Sequence, residues 1–387
     1  MALPPDFTLL QVVPELETGG AEQTTIDVAR AVIEAGGRAL VATRGGRMTA
    51  RLEADGARLA QMPVQSKNPL VMLGNAARLV DLIRGERVSL VHARSRAPAF
   101  SALWAAQTTR TPFVATYHGV YKAKTSLKRW YNAVMTRGDL VIANSDYTRD
   151  HVLAEHAIDP AKVLTIPRGV DFERFNPSWV TPDRVEALRQ AWGIAADDRR
   201  TTFLLAGRLT RIKGHLTIVQ AAARMRAEGR ADFRVVFAGD DQGRAEYGAE
   251  LAKAIDDAGL RDVVRIVGHC DDMPAAYLLA DVALLPTTVP ESFGRAAVEP
   301  QAMGRPVIAS NHGGTVETVA EGVSGWLIPP REPGAWAMAM SRAIEIGHGK
   351  RGEMGQSGMN RTRQLYRVEA MCEATLAAYE QVLAARA

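Results

Sequence analysis

Residues 282–299 read Val-Ala-Leu-Leu-Pro-Thr-Thr-Val-Pro-Glu-Ser-Phe-Gly-Arg-Ala-Ala-Val-Glu. The apolar run Val282–Leu285 predicts a buried strand. A loop carrying Pro290, Glu291 and Gly294 follows, and then a helical pattern that ends on a second carboxylate, Glu299. Backbone amides at such a helix start can take a phosphate or a sugar hydroxyl, and Gly294 permits close approach of the main chain. Glu299, about two turns further on, can accept paired hydrogen bonds from a vicinal diol such as a ribose. In isolation the two glutamates read better as helix-surface charges, so the surrounding pattern decides.

Working outward, strand, loop and helix alternate from end to end, the signature of parallel α/β layers. Strands are expected near Thr8–Val13, Arg38–Ala42, Arg58–Met62, Leu90–Ala93, Phe113–Tyr117, Leu140–Asn144 and Val163–Ile166. The helix Ala21–Ala35 carries Ile26, Ala29, Val32 and Ile33 on one face. After Phe175-Asn-Pro177 a second series begins: Thr202–Ala206, Arg234–Ala238, Val263–Val267, Val282–Leu285, Pro306–Ala309 and Gly325–Ile328. The aperiodic break around 170–180 is the expected linker. The reading is α/β, with one Rossmann-like domain over 1–172 and another over 173–368 facing across a cleft. Residues 333–346 and 369–385 read as helices, the last (about 369–387) returning to pack on the first domain. Ligands are expected at the carboxyl ends of the strands.

Length and composition agree. The 387 residues suggest two domains, and 47% apolar with 23% charged residues is an ordinary globular balance. The N-terminal residues lack the pattern of a signal peptide, and no apolar run approaches the roughly 20 residues that span a bilayer. Two cysteines, Cys270 and Cys372, set up neither a disulfide framework nor zinc spacing. A cytoplasmic location is expected. Residues 87–138 contain nine bases and no acid. Such a run reads as a solvated face, or as a surface for an acidic acceptor or an anionic membrane.

A second motif is Ala206-Gly-Arg-Leu-Thr-Arg-Ile-Lys-Gly214. A strand delivers Arg208 and then Lys213 to a turn opening a helix. Two cations so placed can clamp a pyrophosphate and stabilise charge growing on a leaving group. A third, Gly19-Gly-Ala-Glu22, is a glycine turn ahead of a helix. It lacks the GxGxxG spacing of a dinucleotide site, which argues against a nicotinamide enzyme.

With these motifs in this order, and with Tyr117-His-Gly119, Ala143-Asn-Ser145 and Arg168-Gly-Val-Asp171 between them, the chain resembles the family-4 retaining glycosyltransferases of GT-B fold. That group includes bacterial transferases for lipopolysaccharide, glycolipid and exopolysaccharide. The resemblance implies a nucleotide-sugar donor, with Arg208 and Lys213 on its diphosphate. It implies Glu291 on the transferred sugar, helped by Phe293 and Gly294, and Glu299 with neighbouring Arg295 on the ribose side. Gly268-His269-Cys270 would flank the base, Gly19 and Gly20 would border the diphosphate or acceptor, and His118 would reach the donor sugar. No protein nucleophile is implied: the donor phosphate takes the acceptor proton, and the acceptor enters on the leaving-group face.

Two departures stand out. Pro300 follows Glu299 directly, so the helix is expected to start late or kink there. Arg168 stands where many relatives have Asn. No cofactor and no metal is expected, since Asp240-Asp241 and Asp271-Asp272 are adjacent pairs at strand ends.

On the acceptor side, Arg94 and Arg96, together with Lys122 and Lys124, are expected to meet a phosphorylated or acidic saccharide or lipid-linked acceptor. Over 126–137, Leu127, Trp130, Tyr131, Val134 and Met135 form one helical stripe. The stripe reads either as core or as an interfacial face that Lys122 and Lys124 draw to an anionic inner-membrane surface. No nucleic-acid recognition module is present. The competing reading is a sugar-nucleotide epimerase on the same architecture, for which the basic stretch would be incidental.

Overall fold

The computed structural model describes residues 3–386 apart from 18, 122, 242 and 244. The chain divides into two compact units, residues 1–169 with 368–387, and residues 170–367. All thirteen expected strands form, with ends displaced by at most one residue. In the first unit they are β1 (Thr8–Val12), β2 (Arg38–Thr43), β3 (Arg58–Gln61), β4 (Leu90–Ala93), β5 (Phe113–Tyr117), β6 (Leu140–Ala143) and β7 (Val163–Thr165). In the second they are β8 (Thr201–Ala206), β9 (Phe233–Ala238), β10 (Val264–Gly268), β11 (Val282–Leu285), β12 (Val307–Ser310) and β13 (Gly325–Ile328).

Both sheets are parallel, in the orders β3-β2-β1-β4-β5-β6-β7 and β10-β9-β8-β11-β12-β13. The pleat sends alternate residues to opposite faces, and both faces are covered. Leu10, Val12, Val91 and Ala115 join one core of the first unit, while Leu9, Val41, Leu90 and Val114 join the other. This is why the strands read as continuous apolar runs. Each order reverses once, between β1 and β4 and between β8 and β11. Such switch points open a crevice at the carboxyl ends of the strands, and the glycine, arginine and lysine motifs follow these strands.

The helix Val368–Ala384 belongs to the first unit. It buries Met371, Cys372, Leu376, Tyr379 and Val382 in the core beside the helix Gly20–Glu34. The Tyr379 hydroxyl lies 2.6 Å from His92 Nδ1 on β4, and His92 Nε2 lies 2.7 Å from the Thr116 hydroxyl on β5. Burial, then the nearby Arg94 and His118, hold His92 well below the ordinary histidine range, so the ring is neutral.

The helix Gly347–Leu365 is not announced by the sequence pattern, for it carries five glycines and little apolar periodicity. Packing overrides propensity there. A Cβ at Gly355 would stand 2.0 Å from the carbonyl oxygen of Gly304, and one at Gly358 would stand 3.2 Å from Gln301 and Ser324. The helix thus lies backbone-close against the end of Arg295–Ala302, the helix that carries Glu299. Gly352 has nothing within 4 Å of a Cβ position. Gly352→Ala should therefore raise stability by about 0.5–1 kcal/mol through helix propensity. Gly355→Ala should lower it by about 1–3 kcal/mol through overpacking. Urea melts of the two variants check the contrast.

Candidate active site

In the second unit the switch point brings two loops together through a glycine. β8 ends at Ala206, and a tight turn, Arg211–Lys213, leads to Gly214 with φ +78°. A Cβ at Gly214 would sit 1.8 Å from the Pro286 carbonyl oxygen just beyond β11. Only glycine allows both the left-handed backbone and this approach. The Thr288 amide then donates to the Ile212 carbonyl at 2.9 Å. The result is an ion pair between Lys213 Nζ and Glu291 Oε1 at 2.7 Å, both side chains largely covered. Lys213 lays its aliphatic stem over Gly207, and Arg208 is exposed beside it.

Glu291 is fixed from the other side as well. It forms a parallel bridge with Gly313, and the Gly314 amide donates to its carbonyl at 2.7 Å. Side chains at 313 or 314 would run into the Glu291–Phe293 backbone. Three residues on, Gly294 at φ +88° caps the helix Arg295–Ala302. Phe293 is buried edge-to-face against Tyr366. Despite Pro300, the helix begins at Arg295 and runs through the proline; the late start expected from Pro300 does not occur. Arg295 donates to Glu299 Oε1 at 2.7 Å and Tyr277 to Oε2 at 3.3 Å. Burial, then Glu299, raises the Tyr277 pKa well above its ordinary value, so the phenol stays a donor. Gly268 (φ +76°) ends β10. It leads to His269, 2.9 Å from Asp271, and to Cys270, whose thiol burial pushes up to about 11.

In the first unit Gly19 caps the helix Gly20–Glu34. Glu22 folds back over it, its carboxylate oxygens within 2.1–2.9 Å of a Cβ position. His118 follows β5, and Arg168 Nη2 lies 2.7 Å from its Nδ1. The departure at 168 thus sits directly on His118.

Arg94 corrects an expectation. Its amide extends the ladder by donating to Val12, which turns the side chain inward, where it is 2% exposed. The guanidinium donates twice to Gln11 Oε1, at 2.9 and 2.5 Å, and Gln11 in turn donates to the Thr25 carbonyl. A buried cation needs such partners, and this one is a structural tie rather than an acceptor ligand. Arg96 stacks 3.7 Å above the Tyr121 ring and donates to Asn132 at 2.7 Å, bracing the segment after His118. Lys124 is exposed; Lys122 lies outside the described residues. The expected stripe divides: Val134 and Met135 are core, whereas Leu127 and Trp130 are 74% and 53% exposed. The regular helix ends at Asn132, which breaks the stripe. Among the described residues no group of three or more His, Cys, Asp or Glu is placed to hold a metal. Asp272 instead pairs with Arg184 and caps a helix at Ala275.

Residues 18–174 match the family described as Glycosyltransferase Family 4, and residues 186–361 match Glycosyl transferases group 1. A glycosyltransferase from Rickettsia africae superposes with a TM-score of 0.90 at 30% identity, covering 98% of this chain and 99% of that one. The chain belongs to the family-4 glycosyltransferases. Its two Rossmann-like units are those of the GT-B fold. Anabaena HepE, solved with UDP-glucose, is similar at TM-score 0.84 and 25% identity over 97% of this chain and 99% of its own. The D-inositol 3-phosphate glycosyltransferase of Mycobacterium tuberculosis is 30% identical over 254 residues, 65% of this chain and 50% of that protein. The chain thus matches half the length of these curated relatives.

Sequence reasoning passed over Gly313-Gly314, Tyr277 and the contact of Arg168. A glycine pair after a strand, the same signal as Gly19-Gly20, marks the first. Gln11, a lone amide among apolar strand residues, marks the partner of Arg94.

His215, next to the Lys213 turn, is buried against Phe237 and Tyr247. Burial pushes its pKa down to about 4, the Thr210 carbonyl partly offsetting this and Lys213 adding to it. The unfolded ring takes up its proton near pH 6.5. Between pH 6.5 and 4 the unfolded chain therefore binds more protons, and stability falls as pH drops through that window. His215→Leu should flatten the fall by up to one proton, read from urea melts at a series of pH values.

Proposed function

We propose that the chain is a retaining hexosyltransferase that takes its sugar from a nucleotide-sugar bound by the second unit. The acceptor is an anionic saccharide or lipid-linked saccharide met by the first unit, in lipopolysaccharide or other cell-envelope polysaccharide synthesis. The observation that carries this reading is the Lys213–Glu291 pair, held at the β8/β11 switch point with Glu299 on the helix that follows. A cation for the leaving diphosphate is joined there to a carboxylate for sugar hydroxyls.

In this reading Arg208 and Lys213 neutralise the charge that grows on the diphosphate as the glycosidic bond breaks, where fixed cations contribute most. Glu291 accepts hydrogen bonds from the transferred sugar, and Phe293 and Gly294 offer backbone donors at the helix start. Glu299, oriented by Arg295 and Tyr277, accepts the ribose diol, and Gly268-His269-Cys270 flank the base. Gly19 and Gly20 border the diphosphate, and His118 meets the sugar. The donor phosphate takes the acceptor proton, so no glycosyl-enzyme forms. The UDP-glucose bound by Anabaena HepE supports a donor of this class, and the name of the mycobacterial relative supports a phosphorylated acceptor.

The exposed Leu127 and Trp130, beside exposed Lys124, Lys128 and Arg129, support docking on the cytoplasmic face of an anionic membrane. No helix among the described residues is long and apolar enough to cross one.

A hydrolysis and binding screen across UDP-, GDP- and ADP-sugars tests the donor assignment; turnover of none would overturn it, and net epimerisation without transfer would favour the epimerase. Lys213→Ala should cost about 10²–10³ in kcat. Glu299→Ala should weaken nucleotide affinity by about tenfold, read by calorimetry. Equal and negligible effects would remove both roles. Turnover should persist in EDTA. In flotation assays with anionic vesicles at low salt, the wild type should bind and a Leu127→Ser/Trp130→Ser variant should not.

A further inference from the structure

His118 stands at the end of β5, and Arg168 lies beyond β7, two strands away in the same sheet. The 2.7 Å contact between Arg168 Nη2 and His118 Nδ1 has only one chemical sense. A guanidinium has donors and no acceptor, so Nδ1 must present its lone pair. A neutral ring then carries its single proton on Nε2. An imidazolium would point an N–H at the guanidinium and is excluded while the contact holds.

We propose that Arg168 is a positioning residue that locks His118 as the neutral Nε2–H tautomer. The ring is thereby a fixed hydrogen-bond donor and not a base. The charged and titratable groups around it favour the same state. Burial lowers the His118 pKa most, followed by Arg168 and then Arg94, the residue after β4. Arg94 is pinned on Gln11 and cannot swing away. His92, on β4, is itself neutral, and the Tyr121 hydroxyl contacts the His118 backbone. A side-chain amide at 168 would offer both a donor and an acceptor and impose neither tautomer. Arginine is a partner that dictates the proton's place. Only the statement that this donor meets an oxygen of the transferred sugar rests on the proposed transferase reading; the tautomer does not.

The test has two arms. Ring-¹⁵N NMR of the whole chain, with His118 assigned by its loss in His118→Gln, should show Nε2 protonated and Nδ1 bare. The pattern should not change between pH 8 and 5.5. In Arg168→Asn the ring should lose its single-tautomer signature while burial and Arg94 still hold its pKa low; Arg168→Lys, which keeps a donor-only cation, should retain the signature. With a turned-over donor, wild-type kcat/KM should show no acid limb from His118. Arg168→Asn should lower kcat/KM by about twofold at pH 8, the share of rings that an even tautomer mixture withdraws as Nε2 donors. A wild-type ring protonated on Nδ1, or one that titrates in this range, would overturn the proposal, as would an Arg168→Asn spectrum identical to wild type. Failure to find any donor would sink the transferase reading and leave the NMR arm decisive.

Discussion

The second unit is organised around a distance too short for a side chain. Gly214 and the Pro286 carbonyl approach so closely that no Cβ fits between them, and this contact fixes the loop after β8 against the loop after β11. Lys213 and Glu291 are paired because their backbones are already in register. Glu291 is held by the same device a second time, where Gly313 and Gly314 press on its main chain. Glu299 rests on a helix that Gly355 allows to be backed by another helix at backbone range. A candidate catalytic centre built this way needs few side-chain contacts to stay in place, since its rigidity is that of main chain on main chain. This is the kind of support under which preorganised charges act without reorganisation during the reaction.

What could be read in advance follows from what leaves a periodic trace. Buried parallel strands are apolar on both faces, so β1–β13 stood out. The motifs at their carboxyl ends were legible for the same reason, since chemistry-bearing residues there interrupt the apolar runs. The helix Gly347–Leu365 left no such trace, because its fitness lies in what its glycines lack. Arg94 was misjudged because a basic residue at a strand end looks the same whether it turns out or in; its direction depended on Gln11, 83 positions earlier. The 126–137 stripe was ambiguous because period alone cannot reveal that the regular helix stops at Asn132.

The acid-free stretch 87–138 proves to be several things. Arg94 is an internal tie, Arg96 braces the segment after His118 by stacking on Tyr121, and Lys124, Lys128 and Arg129 face solvent. Arg137 lies over the Trp130 ring at 4.9 Å. The absence of carboxylates across the stretch has one physical consequence for the interior. With Arg94 and Arg168 both near His118, the charges around the ring disfavour its protonation, as its burial does.

The helix Val368–Ala384 completes the core of the unit that begins the chain, with Tyr379 reaching His92 between the two. The ribosome makes that helix only after the whole of residues 170–367 has emerged. The later-made unit is thus contiguous and can fold as it appears, whereas the earlier one must wait with the surface around Leu9, Val41 and Cys372's eventual seat uncovered. Domains ordinarily mature in the order of synthesis; here the first unit has a part of its core made after the second unit. The apolar surface that Met371, Leu376 and Tyr379 cover in the folded unit therefore stays open until residues 368–384 have been made.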